Sequence, residues 1–131
     1  MKHDILSADD VKILVDSFYD KVVKDDLIAK YFTEIAKVNW ATHMPQMYAF
    51  WNGVLLGEPG FTGRPMMKHI KVHYQEPIES QHIDRWIQLW HETLDALFEG
   101  PTVSEAKRRA GLMRELMLFK FEQASKPGFI Q

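Results

Sequence analysis

An apolar stripe in the second half of the chain is the feature that most limits what this sequence can fold into. Six large side chains recur at spacings of three and four residues: Ile83, Trp86, Ile87, Trp90, Leu94 and Leu97. This spacing puts them on one face of a helix, and Gly100 with Pro101 closes the run. No stretch of the sequence alternates apolar and polar residues for long enough to predict a strand. The sequence therefore predicts an all-α fold class.

Similar but weaker patterns predict the remaining helical segments, over residues 11–24, 27–35, 40–57, 65–74 and 102–121. Possible capping boxes mark the starts of the first and last of them: Ser7 with Asp10, and Thr102 with Glu105. Phe32, in the second segment, is expected to point inward. The last residues, 125–131, are expected to form a frayed tail.

Pro45 complicates the segment that begins near Trp40. A proline in a helix interior costs about 3 kcal/mol, so this helix either begins near Thr42 or kinks next to His43. The segment 57–64, which follows, contains three glycines and a proline and is predicted to be a loop. Pro65 suits the first turn of the helix after that loop.

Composition limits the classes of function. The chain has 131 residues, of which 46% are hydrophobic, and this suits a single domain over residues 1–131. It has no cysteine, which excludes disulfides, thiolate metal sites and cysteine nucleophiles. A formal charge of −2 gives no general attraction to nucleic acid. The N-terminus lacks the apolar core of a secretory signal, and no apolar run is long enough for a membrane span, so a soluble, cytoplasmic protein is expected.

Histidine is the remaining candidate for binding a metal. His69 and His73 lie four residues apart on one predicted helix face, a spacing that lets two imidazoles share one ion. His43 is the only other candidate expected to face inward, and no acidic residue accompanies it. A divalent metal site, histidines satisfied within the core, and haem ligation all remain open. The other histidines are expected to be solvated: His3, His82 and His91.

The tryptophans also allow two interpretations. Trp40, Trp51, Trp86 and Trp90 lie on helical stripes, where such residues usually fill a core. Several aromatic and methionine side chains with a few polar tips among them also describe an apolar cofactor pocket. Composition alone does not separate these interpretations.

The order of these residues resembles the truncated haemoglobins, short globins with a two-over-two helical sandwich, and most closely their third group. The resemblance covers the chain from Ser7 to Phe121. In the first half it rests on Phe18, Tyr19, Phe32, Trp40, Ala41, Thr42, His43, Phe50, Trp51, Leu56 and Gly57. In the second half it rests on Phe61, Thr62, Gly63, Arg64, Pro65, Met66, Met67, His73, Ile78, Arg85, Trp86 and Trp90. Phe61 is a departure, because tyrosine is commoner there in the family.

The resemblance implies haem b as the cofactor and His73 as the axial ligand of its iron. His69 is a rival one turn earlier, but the interval from His73 to Trp86 fits the family better. The resemblance also implies that Tyr19, His43 and Trp86 form the distal side, where the iron's own ligand binds.

Other residues are assigned to the cofactor by the same resemblance. Phe32, Phe50 and Met47 are expected to contact the porphyrin. Candidates for binding the haem propionates lie near the axial histidine in sequence: Arg64, Lys68 and Lys71.

The function implied is reversible binding of dioxygen, nitric oxide or another diatomic ligand. The Tyr19 hydroxyl and the Trp86 indole N–H could each stabilise bound dioxygen by roughly 1 to 1.5 kcal/mol, which predicts tight binding and slow release. A redox enzyme on the same site, a nitric-oxide dioxygenase or peroxidase, is an alternative that would need a reductase partner. A helical metal-binding or interaction module without haem is a second alternative. The protein is expected to be a monomer or a weak homo-oligomer.

Overall fold

The computed structural model describes residues 1–125 as a bundle of helices. In chain order these are α1 (Ala8–Val22), a π-helix (Tyr31–Ile35), α2 (Trp40–Leu56), α3 (Pro65–Gln75), α4 (Ser80–Leu97) and α5 (Pro101–Ala124). No strand occurs among the described residues, and the all-α prediction is confirmed. The tail that was expected to fray lies outside the described residues, apart from Ser125.

The first helix is capped by residues next to it in sequence, and the last helix is capped by a residue far from it in sequence. At α1 the Ser7 Oγ accepts the Asp10 N–H at 3.3 Å, and the Asp10 carboxylate accepts the Leu6 N–H at 2.9 Å, close to the predicted capping box. At α5 the cap comes from far away in sequence. The Asp4 carboxylate accepts the backbone N–H groups of Thr102 and Val103 at 2.9 and 3.2 Å, so Thr102 is not the cap that the sequence predicted.

Pro45 lies inside helix α2. The helix begins at Trp40, where the Asn39 side chain accepts the Ala41 N–H at 3.1 Å, and Pro45 lies in its second turn. The helix ends at Gly57, whose φ of 72° is in the left-handed region that favours glycine. Of the two alternatives that Pro45 left open, a start near Thr42 is wrong, because the helix begins two residues earlier.

The main core lies where α1 packs on α2 and α4. Trp90 of α4 is fully buried, stacks on Trp51 with ring centroids 4.4 Å apart, and meets the edge of Phe18 at 5.0 Å. Burying side chains of this size contributes roughly 1.5–3 kcal/mol each. A second, smaller core joins α3, α4 and α5 through Ile70, Ile83, Phe121 and Ala124.

Helix α3 occupies a distinctive position. Its backbone packs closely on α5 and the π-helix, but within the described chain it has no such contact with α2 or α4. The two helices that flank the loop 57–64 are therefore separated by a cleft. Over residues 1–125, no helix combines the length and apolar character that a membrane crossing requires.

Candidate functional site

The cleft between α2 and α3 is the first element of the site. It has a volume of about 340 Å³, at the lower end of the roughly 300–1,000 Å³ typical of ligand pockets. Three parts of the chain line it: Ile35, Ala36, Val38 and Asn39 after the π-helix; Thr42, His43 and Gln46 of α2; and Lys68, Lys71, Val72 and Gln75 of α3. A second cleft of about 250 Å³ continues along α2 beneath the loop, and Gln46 lines both.

Tyr19 and His43 lie together at this part of the molecule. The Tyr19 ring, from α1, is 9% exposed and meets the His43 ring edge to face, with centroids 5.3 Å apart. Trp86, from α4, is half-buried and meets Phe18 edge to face at 6.0 Å. The three distal residues named from the sequence therefore come from three helices that border one core.

The polar tips of these three residues have no partner among the described residues. The His43 Nε2 is buried without a hydrogen bond, and neither the Tyr19 hydroxyl nor the Trp86 indole N–H bonds to any described group. By contrast, the Trp90 indole N–H donates to the Ala106 carbonyl at 3.3 Å, and the Tyr48 hydroxyl donates to Asp16. A buried polar group without a partner costs about 1–3 kcal/mol, so these atoms suit a bound polar ligand.

Burial keeps two of these groups uncharged. It raises the pKa of Tyr19 well above its usual range, so the hydroxyl keeps its proton and can donate. It also lowers the pKa of His43, an effect to which the charge of Lys68 adds. Both side chains are therefore neutral hydrogen-bonding groups near pH 7.

The surrounding apolar residues named from the sequence also border this core. Phe32 lies against Tyr19 at 5.9 Å and stacks on Trp40 at 6.4 Å. Phe50 meets the edge of Phe61, in the loop, at 5.2 Å. Met47 packs against the main core and keeps part of its surface accessible. These side chains form apolar surroundings behind Tyr19 and His43, and Phe61 lines the second cleft.

His69 combines two properties that seldom occur together. Its side chain keeps accessible surface, yet burial, followed by the charges of His43 and Lys68, lowers its pKa to about 4. His69 lines neither of the two clefts, but Val72 and Lys68, on the same side of α3, line the first. No described residue forms a hydrogen bond with His69.

His73 lies elsewhere, against α5. Its Nδ1 accepts the Ile78 N–H at 2.9 Å, its Nε2 lies 3.0 Å from the Ser125 Oγ, and its ring stacks on Phe121 at a centroid distance of 4.7 Å. The structure does not bring His73 together with Tyr19, His43 and Trp86. His69, by contrast, is close enough to His43 for the charge of that ring to lower its pKa.

The helical pattern places the two histidines about 40° apart around α3, and the neighbours seen in the structure separate them. At about 100° per residue, His73 lies roughly 20° around α3 from Met66, which packs in the second core. His69 lies roughly 60° from Met66 on the side of Val72 and Lys68, which line the cleft. His69 therefore flanks the buried face, and His73 lies within it.

Two other expectations about ionisable residues have clear outcomes. His82, expected to be solvated, is only 7% exposed, and its Nδ1 accepts the Glu79 N–H at 2.9 Å in the cap of α4, so that expectation was wrong.

Lys68 and Lys71, two of the three propionate candidates, do line the cleft. Over the described range, no three His, Asp or Glu side chains converge closely enough to hold a metal ion.

Comparisons with known proteins identify the family and the fold of the chain. A model of the bacterial-like globin family matches residues 4–119. The chain is 26% identical over 127 residues to a group 3 truncated hemoglobin of Campylobacter jejuni, covering 92% of this chain and 98% of that protein. It superposes on the crystal structure of the group III truncated hemoglobin from Campylobacter jejuni with a TM-score of 0.80 and 25% identity, covering 99% of this chain and 100% of the other. The chain therefore belongs to the bacterial-like globin family, and it is a haem-binding globin with the truncated-globin fold that its sequence predicted.

Proposed function

We propose that this globin binds haem b in the cleft between α2 and α3, with His69 as the proximal ligand, and that it binds dioxygen tightly on the side of Tyr19, His43 and Trp86. The observation that carries the proposal is that His43 of α2 and His69 of α3 lie on the two helices that border the cleft, with the His43 Nε2 buried without a partner and no described residue bonded to His69. His69 would hold the haem iron, and the bound haem would supply the site at which a diatomic ligand binds.

His69 suits the proximal role because it is a neutral base. A histidine binds a metal through an unprotonated nitrogen, and a pKa of about 4 keeps that nitrogen free of its proton at neutral pH. His73 is less suited, because both of its ring nitrogens already have partners at 2.9 and 3.0 Å. We therefore favour His69 over His73 as the proximal ligand, although the family spacing had favoured His73.

The distal residues supply hydrogen-bond donors in an apolar setting. The Tyr19 hydroxyl and the Trp86 N–H can each donate to a ligand that gains partial negative charge, and each such bond contributes about 1–1.5 kcal/mol. Phe32, Phe50 and Met47 exclude water and so strengthen these bonds. The result is slow release of the ligand.

The entrance to the cleft offers positive charge for the haem propionates. Lys68 and Lys71 line the cleft, and neither forms an ion pair within the described part of the chain. Their ammonium groups can pair with carboxylates at the solvent edge. Because such pairs are exposed, each is expected to contribute at most about 1 kcal/mol.

The test is a titration of the purified chain with haemin, followed by reduction and exposure to dioxygen. The proposal expects a one-to-one complex with an intense Soret band that shifts on reduction and again on oxygenation. Release of dioxygen is then timed by rapid mixing with carbon monoxide. An absent Soret band would exclude the proposed function, and fast release would exclude the stabilising role of the distal donors.

A further inference from the structure

We propose that His73 is the positioning residue of α3, and that it sets the rotation at which this helix presents His69 to the cofactor. The inference rests on the proposed role of His69 as the proximal ligand. His73 itself would not touch the haem, because its ring lies flat against Phe121 of α5 at an interplanar angle of 6°.

The hydrogen bonds of His73 require one protonation state. The Ile78 backbone amide can only donate, so the Nδ1 that it meets at 2.9 Å is unprotonated. In the neutral ring the proton is then on Nε2, which donates to the Ser125 Oγ at 3.0 Å. The Ser125 hydroxyl in turn donates to the Phe121 carbonyl at 2.9 Å. Hydrogen bonds thus run in one direction from Ile78 through His73 and Ser125 to Phe121, and they join the last turn of α3 to α5.

The other contacts that hold α3 are concentrated at the same end. Tyr74, one residue further, donates from its hydroxyl to the Ala124 carbonyl at 3.3 Å. The Tyr31 hydroxyl donates to the Pro77 carbonyl at 2.7 Å, just beyond the helix. At the opposite end, Arg64 provides no side-chain cap. The helix is therefore fixed at its C-terminal end and only lightly held at its start.

His69 lies between the fixed end and the lightly held one. It precedes His73 by four residues, about 6 Å along the helix axis, and it has no hydrogen bond of its own within residues 1–125. Met66 and Ile70 pack in the second core, but apolar contacts have no preferred direction and tolerate rotation of the helix. The hydrogen bonds of His73 are directional, so they determine where His69 points.

The inference is tested with variants that separate ring stacking from hydrogen bonding. His73→Phe keeps an aromatic ring against Phe121 and removes both hydrogen bonds. His73→Asn loses the ring but keeps an acceptor close to the position of Nδ1. Ser125→Ala removes the acceptor for Nε2 and the donor to the Phe121 carbonyl, and it lies at an exposed helix end, where the risk to folding is small. His91→Phe, on half-buried α4 surface, is the matched control.

Two readouts report on the proximal imidazole in the haem-loaded protein. Resonance Raman spectra of the ferrous, ligand-free protein give the iron–imidazole stretching frequency, which depends on the orientation of that ring. Transfer of haem to an excess of a haem-scavenging protein gives the rate of haem loss. We expect His73→Phe to shift the frequency and to speed haem loss roughly tenfold, the factor that a hydrogen bond of ordinary net strength represents. We expect Ser125→Ala to act in the same direction and His73→Asn to restore part of the wild-type behaviour.

Hydrogen exchange of the haem-free chain supplies a readout that does not depend on haem. The Ile78 amide should exchange faster in His73→Phe and close to the wild-type rate in His73→Asn. If the wild-type chain takes up no haem, the proposed function falls. If it takes up haem, and His73→Phe and Ser125→Ala both leave the stretching frequency and the rate of haem loss at wild-type values, only the positioning role of His73 is overturned.

Discussion

The rings of Tyr19 and His43 meet edge to face, with their planes at 86° and their centroids 5.3 Å apart. This contact places a hydroxyl from α1 next to an imidazole from α2, and neither polar tip is used by the described residues. Within a bacterial-like globin, two such groups on one side of the cleft give a ligand both a hydrogen-bond donor and a neutral nitrogen. The behaviour of the protein toward dioxygen should therefore depend on this pair.

Removing the Tyr19 hydroxyl is expected to speed dioxygen release. Tyr19→Phe keeps the ring and its packing but loses one donor of about 1–1.5 kcal/mol, which corresponds to roughly tenfold faster release. Stopped-flow displacement of dioxygen by carbon monoxide measures the rate. The control is Tyr48→Phe, because the Tyr48 hydroxyl donates to Asp16 and lies outside the distal group. An unchanged release rate in Tyr19→Phe would remove Tyr19 from the distal role.

Substitutions of the two histidines of α3 are expected to have opposite effects on the ligation of the haem iron. His69→Gly should lose the proximal ligand, and added imidazole should restore the wild-type absorption spectrum by filling the space. His73→Gly removes a residue that faces α5, so its spectrum should remain that of an imidazole-ligated haem. Absorption and resonance Raman spectra of both variants, with and without imidazole, separate the assignments. Rescue of His73→Gly but not of His69→Gly would return the proximal role to His73.

The helical pattern of the sequence carries information about neighbours within one helix, but not about contacts between helices that are distant in sequence. Periodicity predicted the helices and the inward direction of Phe32 and His43, because these positions depend on neighbours within one turn or two. It could not choose between His69 and His73, since the choice depends on where α5 lies against α3. The contact that favours His69 engages His73 with Ser125, 52 positions away in sequence. The cap of α5 by Asp4 spans 98 positions and was out of reach for the same reason.

The stability of the haem-free chain should depend on pH through His73. Burial lowers the pKa of His73 below the ordinary value of 6.5, and the Ile78 N–H requires its Nδ1 to be unprotonated. Below pH 6.5 the unfolded chain therefore takes up this proton more readily than the folded chain, and stability falls as pH falls. Above pH 6.5 both states are neutral and the contribution is constant.

Urea unfolding of the haem-free chain between pH 7.5 and 5 measures this effect. Because His43, His69 and His91 also have lowered pKa values, the wild-type slope contains several contributions. The difference between the wild type and His73→Phe isolates the contribution of His73, and the variant should show the shallower dependence on pH. Parallel curves for the two proteins would mean that His73 takes up its proton equally well in the folded chain.

The turn between α1 and the π-helix should be the most sensitive polar element of the fold. The side chain of Asp25 is only 6% exposed; it accepts Arg85 Nε at 2.7 Å and the N–H groups of Leu27 and Ile28 at 3.2 Å each. Asp25→Ala leaves a partly buried guanidinium and two amides without their acceptor. Breaking a fully buried pair costs about 3–5 kcal/mol, and because Arg85 is a third exposed the expected loss here is about 2 kcal/mol.

Chemical denaturation of Asp25→Ala and of a matched control, Asp95→Ala, checks this prediction. Asp95 pairs with Lys107 at the same distance of 2.7 Å, but its side chain is 62% exposed, so its loss should change stability by no more than about 0.5 kcal/mol. The two variants remove the same chemical group and differ mainly in burial. Equal losses would show that burial does not determine the contribution of Asp25. A larger loss for Asp25→Ala would show that the buried pair with Arg85, which connects the turn after α1 to α4, stabilises the fold.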